Sequence, residues 1–170
     1  MLIFCMQIQI FATGGTFDKE YNELDGSLFF KETHLPEVLQ LGRCALDVQI
    51  KTLMLMDSLD MRPVDKFTLV DSCKCSTFDK IVITHGTDTM VDSAKLIAKE
   101  LLGSSKTIVL TGAMIPFKFG PSDALFNLGS ALSFVQLLKP GIYISMNGEL
   151  FDYDNCRKDK ELGKLVRIRD

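Results

Sequence analysis

Two hydrophobic rhythms alternate along the chain. Nearly unbroken apolar runs of strand length stand at 6–12 (MQIQIFA), 46–55 (LDVQIKTLML), 78–84 (FDKIVIT), 106–112 (KTIVLTG) and 139–147 (KPGIYISMN). Several are rich in Val and Ile, the composition of strands covered on both faces. Between them the period lengthens. Val91, Ala94, Ala98 and Leu101 share one helical face, and Gly103 supplies a stop. A Ser-Asp pair at 122–123 opens a second helical stretch that ends before Pro140. Weaker helical patterns cover 34–42 and 62–75. This alternation predicts an α/β layered fold with a mainly parallel sheet, in one domain over 1–170. The terminal KLVRIR (164–169) reads as a last edge strand or a solvated segment.

Polar residues interrupt the pattern at particular places. In open α/β sheets, ligands bind beyond the carboxyl ends of the strands, where loops converge. TGGTF (13–17), DSLD (57–60), THGTDT (84–89) and TGAMIP (111–116) each follow a predicted strand. Turn formation alone does not account for four such clusters at one edge.

Composition narrows the chemistry. The chain has 170 residues, 46% of them hydrophobic, enough for a substantial core. A net charge of −3 gives no electrostatic reason to expect nucleic acid or an anionic membrane as partner. No apolar run reaches membrane-spanning length. The apolar start MLIFCMQIQIFATGG lacks a basic leader and is better read as a first core strand. Five cysteines in no disulfide-like spacing suggest reduced thiols and a cytoplasmic location. With only His34 and His85 available, a metal site lacks ligands in any usual spacing.

Each cluster has an ordinary reading and a chemical one. Gly14 and Gly15 make a sharp turn; they also let the backbone approach a ligand and leave Thr16 beside free amides. No third glycine or Walker lysine follows, so NAD and ATP fit poorly. Thr87 or Asp88 serves as a helix cap, with Thr89 close behind, but capping uses only one of them. A hydroxyl nucleophile needs an adjacent base. His85 is next in sequence to the cluster, yet strand neighbours point to opposite faces, so it is assigned a structural role. Lys158, in DNCRKDK, is a candidate base that spacing alone does not separate from Lys160 or Arg157.

Taken in order, ATGGTF (12–17), DSLDM (57–61), ITHGTDTM (83–90), VLTGAMIP (109–116), SDALFNL (122–128) and GIYISMNGEL (141–150) resemble the L-asparaginases of the bacterial type. The resemblance implies a three-layer Rossmann/flavodoxin-like fold like the family's N-terminal domain. It also implies hydrolysis of asparagine to aspartate and ammonia with no metal or organic cofactor. Thr16 matches the first threonine nucleophile and Tyr21 the mobile-loop tyrosine. Thr87, Asp88 and Lys158 match the second catalytic group. Gly15 lies in the substrate-binding turn and Ser58 holds the substrate α-carboxylate. Asp88 holds its α-amino group, and the Ala113 carbonyl faces the side-chain amide. A small-molecule amide as substrate and a homo-oligomer, dimeric or higher, are implied with them.

The sequence also departs from the family's pattern. Leu59 stands where many members have glutamine, and Ile115 where arginine is usual. The chain ends soon after Lys158, where typical members continue into a smaller second domain. Three functional expectations follow: an asparaginase-like amidohydrolase, with glutamine or another amide as alternative substrate; a binding module for aspartate or asparagine; or a fragment or assembly partner whose other half comes from another protein.

Overall fold

The computed structural model describes residues 6–169. The predicted runs form β1 (Gln7–Gly14), β4 (Asp47–Met56), β5 (Lys80–Thr84), β6 (Thr107–Thr111) and β7 (Gly141–Met146). A short hairpin, β2 (Glu20–Tyr21) with β3 (Leu28–Phe29), intervenes after β1. The helices are α1 (Leu35–Leu41), α2 (Pro63–Cys75), α3 (Met90–Leu101) and α4 (Ala124–Leu137). Three further strands close the chain: β8 (Glu149–Asp152), β9 (Cys156–Asp159) and β10 (Lys164–Arg167).

The six-stranded sheet has the order β4-β1-β5-β6-β7-β8 and is parallel except for β8. Side-chain alternation divides its two faces. Ile81, Ile83, Ile108 and Leu110 pack with α2 and α3 through Leu69, Val70, Ala94 and Ile97. Their strand neighbours Val82 and Val109 join Ile8, Ile10 and Ala12 against α1 and α4 through Val38, Leu128, Ala131 and Val135. This is the three-layer α/β arrangement predicted.

The helix placement also fixes the hand of the crossovers. β4-α2-β5 and β5-α3-β6 step across the sheet in one direction with their helices on one face. β1-α1-β4 steps back with its helix on the other face, so these three share one hand. β6-α4-β7 continues in the first direction, yet α4 lies on the α1 face. Parallel crossovers are nearly always right-handed, so this last one is left-handed.

Three local expectations changed. Thr89, rather than Thr87 or Asp88, is the N-cap residue of α3, and it makes no side-chain capping bond. Asp123 occupies the α4 N-cap position but directs its carboxylate elsewhere, while Ser122 Oγ accepts from the Ala124 amide at 3.1 Å. The terminal strand β10 pairs with β9 in a separate hairpin and not with the main sheet.

Candidate active site

The five parallel strands run in the order second, first, third, fourth, fifth by sequence. In such sheets the ligand crevice opens where strand order reverses, here between β1 and β5. The register aligns the exits there: Ala12 lies opposite Thr84, Thr84 opposite Thr111, and Gly14 opposite Met56. Thr16, Ser58, Thr87 and Ala113 therefore emerge together at one rim. The threonines that end these strands stitch them: Thr13 Oγ1 donates to the Thr84 carbonyl and Thr111 Oγ1 to the Ser145 carbonyl, both at 2.8 Å.

The β1 exit is backbone against backbone. Gly15 has φ +69°, and a Cβ there would lie 2.4 Å from the Gly86 nitrogen. The Gly15 amide donates to the Met56 carbonyl at 2.9 Å, which ties the turn to β4. Gly15, one residue before Thr16, is thereby set directly against Gly86, one residue before Thr87. Thr16 opens a 3-10 turn, Thr16–Asp18, and its hydroxyl makes no hydrogen bond among the described residues.

Thr87 is buried, and its hydroxyl meets an amine. Lys158 Nζ lies 2.8 Å from Thr87 Oγ1 and 2.9 Å from Asp88 Oδ1. The hairpin explains why this lysine and not its neighbours reaches in. Cys156 and Lys158 share one side of β9, and Leu165 pairs opposite Lys158. Cys156 and Leu165 are buried in the core, so the same side carries the Lys158 amine inward. Arg157 points the other way, 3.5 Å from Asp159. A hollow of about 290 Å³ beside the group is lined by Thr87, Asp88, Asp92, Lys95 and Lys158; Thr16 and Ser58 do not line it.

The remaining predicted residues divide. Ser58 is buried, and its hydroxyl has no partner among the described residues. Thr89 Oγ1 donates to the Ser58 carbonyl at 3.0 Å, fixing that residue against the β5 loop. Ala113 is buried in the loop after β6. Tyr21 is not brought to the threonines. It is 58% exposed and stands edge-on to Phe119, ring centroids 6.3 Å apart. His85 is fully buried with Nδ1 2.8 Å from the Gly86 carbonyl oxygen, and burial depresses its pKa to about 4. The carbonyl can only accept, so Nδ1–H donates to it and the ring is engaged in holding the loop.

Residues not singled out in the sequence shape the rim. Lys19 Nζ reaches Asp57 Oδ2 at 2.5 Å. Burial works to raise the Asp57 pKa, but the Lys19 hydrogen bond, the Leu59 amide and the charges of Lys19 and Lys158 hold it below the usual carboxylate range. Asp18, fully buried, clamps the far end of the β2–β3 excursion: its Oδ1 accepts from the His34 amide at 2.9 Å and from Thr33 Oγ1 at 3.1 Å. Burial, which outweighs these bonds, pushes Asp18 up to about 6. The TFD that follows the glycine pair was the available signal, since a charged residue just past a predicted core strand needs a local partner. Among the described residues no group of three or more His, Cys, Asp and Glu side chains is arranged to hold a metal ion.

Comparisons with known proteins bear on the family and the fold. The family model described as "Asparaginase, N-terminal" matches residues 7–162. An L-asparaginase of Thermococcus kodakarensis is 27% identical over 164 residues, covering 93% of this chain and 49% of that protein. The solved structure of the thermostable L-asparaginase from Thermococcus kodakarensis superposes with a TM-score of 0.85 at 27% identity, over 96% of this chain and 51% of that one. A component of the glutamyl-tRNA(Gln) amidotransferase of Saccharolobus solfataricus is 29% identical over 157 residues, covering 86% of this chain and 34% of that protein. The chain thus spans about half the length, 49%, of the curated Thermococcus relative. With the strand order, the threonine-bearing exits and the family match all falling on the same residues, the chain belongs to the asparaginase family.

Proposed function

We propose that this chain is an amidohydrolase that releases ammonia from L-asparagine or a related small amide, acting through a threonine nucleophile. The observation that supports the reading is the contact of Lys158 with Thr87 and Asp88 at the exit of β5, the strand paired with the one that leads to Thr16. Simple binding of an amino acid does not require two hydroxyls and an amine so placed.

Thr16 Oγ1 attacks the carboxamide carbon, forming an ester to the substrate acyl group as the carbon–nitrogen bond breaks. The leaving nitrogen takes the hydroxyl proton and departs as ammonia. Lys158 and Thr87 carry that proton and then activate the water that hydrolyses the ester. The unpartnered Ser58 hydroxyl donates to the α-carboxylate, Asp88 accepts from the α-ammonium, and the Gly15 turn lets the backbone approach. The Ala113 carbonyl accepts from the amide N–H. Tyr21 assists Thr16 only after its loop swings inward from Phe119, a closure of the kind that excludes water from reacting groups. No metal or organic cofactor enters this scheme.

Of the two candidate threonines, Thr87 is the one whose hydroxyl meets an amine among the described residues, which favours a variant in which it makes the first attack. We further propose a cytoplasmic protein, 1–170 acting as an asparaginase N-terminal domain, assembled as a homo-oligomer. Buried reduced thiols at Cys73 and Cys156 support the compartment, and the exposed Leu125, Phe126 and Leu137 on α4 support the assembly. No helix among the described residues is long and apolar enough to cross a membrane.

A coupled ammonia assay on L-asparagine, L-glutamine and simple amides tests the reading. Turnover lost in both Thr16→Ala and Thr87→Ala supports it. Calorimetric binding of asparagine or aspartate without turnover by the unaltered chain replaces it with the binding module.

A further inference from the structure

Asp123 stands at the N-cap of α4 yet makes no side-chain capping bond to the backbone of that helix. Its carboxylate turns instead to the loop after β6. The Met114 amide donates to Oδ1 and Oδ2, both at 3.0 Å, and the Ile115 amide donates to Oδ1 at 3.0 Å. One helical turn on, Asn127 is fully buried. Its Nδ2 donates to the Gly112 carbonyl at 2.9 Å and to Asp123 Oδ2 at 2.8 Å, and its Oδ1 accepts from the Asn147 amide at 2.8 Å.

These bonds grip both peptide units that flank Ala113. The Gly112 carbonyl is drawn toward α4, and so is the Met114 N–H. No cis peptide occurs among the described residues, and a trans unit holds its N–H and C=O antiparallel. The Ala113 carbonyl shares a plane with the Met114 N–H, so it points away from α4. It accepts no hydrogen bond among the described residues. The loop is pressed against the β5 exit on that side: a Cβ on Gly112 would lie 2.3 Å from the His85 carbonyl oxygen. Anchoring a loop needs one such contact, whereas here both flanking peptides are set.

We propose that Asp123 and Asn127 are positioning residues that aim the Ala113 carbonyl at the scissile amide, an inference that rests on the amidohydrolase reading above. The carbonyl accepts a hydrogen bond from the substrate amide nitrogen, so its orientation matters for amides and has no N–H to engage in an ester.

The test compares L-asparagine with the β-methyl ester of L-aspartate in the unaltered chain, Asp123→Asn and Asn127→Leu. The expected result is a fall of about tenfold in the amide-to-ester ratio of kcat/KM in each variant. Aspartate, which has no amide, is expected to bind within about twofold of its original Kd. If one variant fails to fold, the other carries the same ratio. Rates on amide and ester that fall in equal proportion, or an unchanged ratio, overturn the positioning role and leave the amidohydrolase reading standing. An unaltered chain that turns over neither substrate overturns both.

Discussion

Lys158 Nζ and Thr87 Oγ1 lie 2.8 Å apart although 71 positions separate them in the chain. The contact joins the main sheet to the β9–β10 hairpin. Lys158→Met keeps the apolar stem and removes the amine. We expect kcat for ammonia release to fall on the order of 10²- to 10⁴-fold, the range for a positioned proton-transfer group. The paired charges are partly exposed, so the melting midpoint is expected to move little, with under about 1 kcal/mol lost. Steady-state assay beside a thermal melt checks both; unimpaired turnover would sink the relay.

The two threonines separate by replacement. Thr16→Ala and Thr87→Ala are each expected to lower kcat by about 10³-fold or more, since members of one nucleophilic unit fail together. Thr16→Ser keeps a hydroxyl and is expected to retain measurable turnover. Mass spectrometry of quenched reactions reports which hydroxyl carries the acyl group.

Gly15→Ala is expected to destabilise the chain by about 1–3 kcal/mol and to abolish turnover. Its φ of +69° disfavours a side chain, and the new Cβ would lie 2.4 Å from the Gly86 nitrogen. Urea denaturation with an activity assay reads both effects. A well-folded, fully active variant would show that the close approach of the two exits is dispensable.

Asp18 makes stability depend on pH. Its folded pKa, about 6, exceeds the ordinary 3.8 because burial disfavours the charge. The folded state therefore binds more protons between those values. Its contribution is fully present below pH 3.8 and is lost as pH rises through about 6. The limiting size is about 3 kcal/mol. Asp18→Asn keeps an oxygen for His34 and Thr33 and removes the titration. Its unfolding free energy relative to the unaltered chain is expected to improve between pH 4 and pH 7, measured by denaturant titration across that range. A constant difference would rule out Asp18 as the source.

Much of the architecture was legible because hydrophobic period and strand-exit chemistry pointed the same way. Ile81, Val82 and Ile83 announce a strand covered on both faces, and that strand is central. Lys158 was harder to single out from Arg157 and Lys160. The choice depends on which side of β9 faces the core, and Cys156 and Leu165 decide that through packing no local charge pattern displays. The position of Tyr21 was not legible either, since the polar segment between Asp18 and Thr33 specifies no docking site for its ring. The pair at 122–123 reads as a helix cap, and neither the turn of Asp123 to the loop after β6 nor the part taken by Asn127 is legible, because their partners are mainly peptide groups, which leave no mark in side-chain sequence. The hand of β6-α4-β7 was equally hidden, since apolar periodicity says how a helix packs and not which side of the sheet it takes.

That inverted winding has a consequence for which loops lie together. By sending the chain after β6 to the α1 side, it lays Phe117 beside His34 and Phe119 beside Tyr21. The β2–β3 hairpin and the segment that follows Ala113 thus lie as neighbours on one flank. With the usual hand they would be divided by the full thickness of the sheet, and movement of one would leave the other undisturbed.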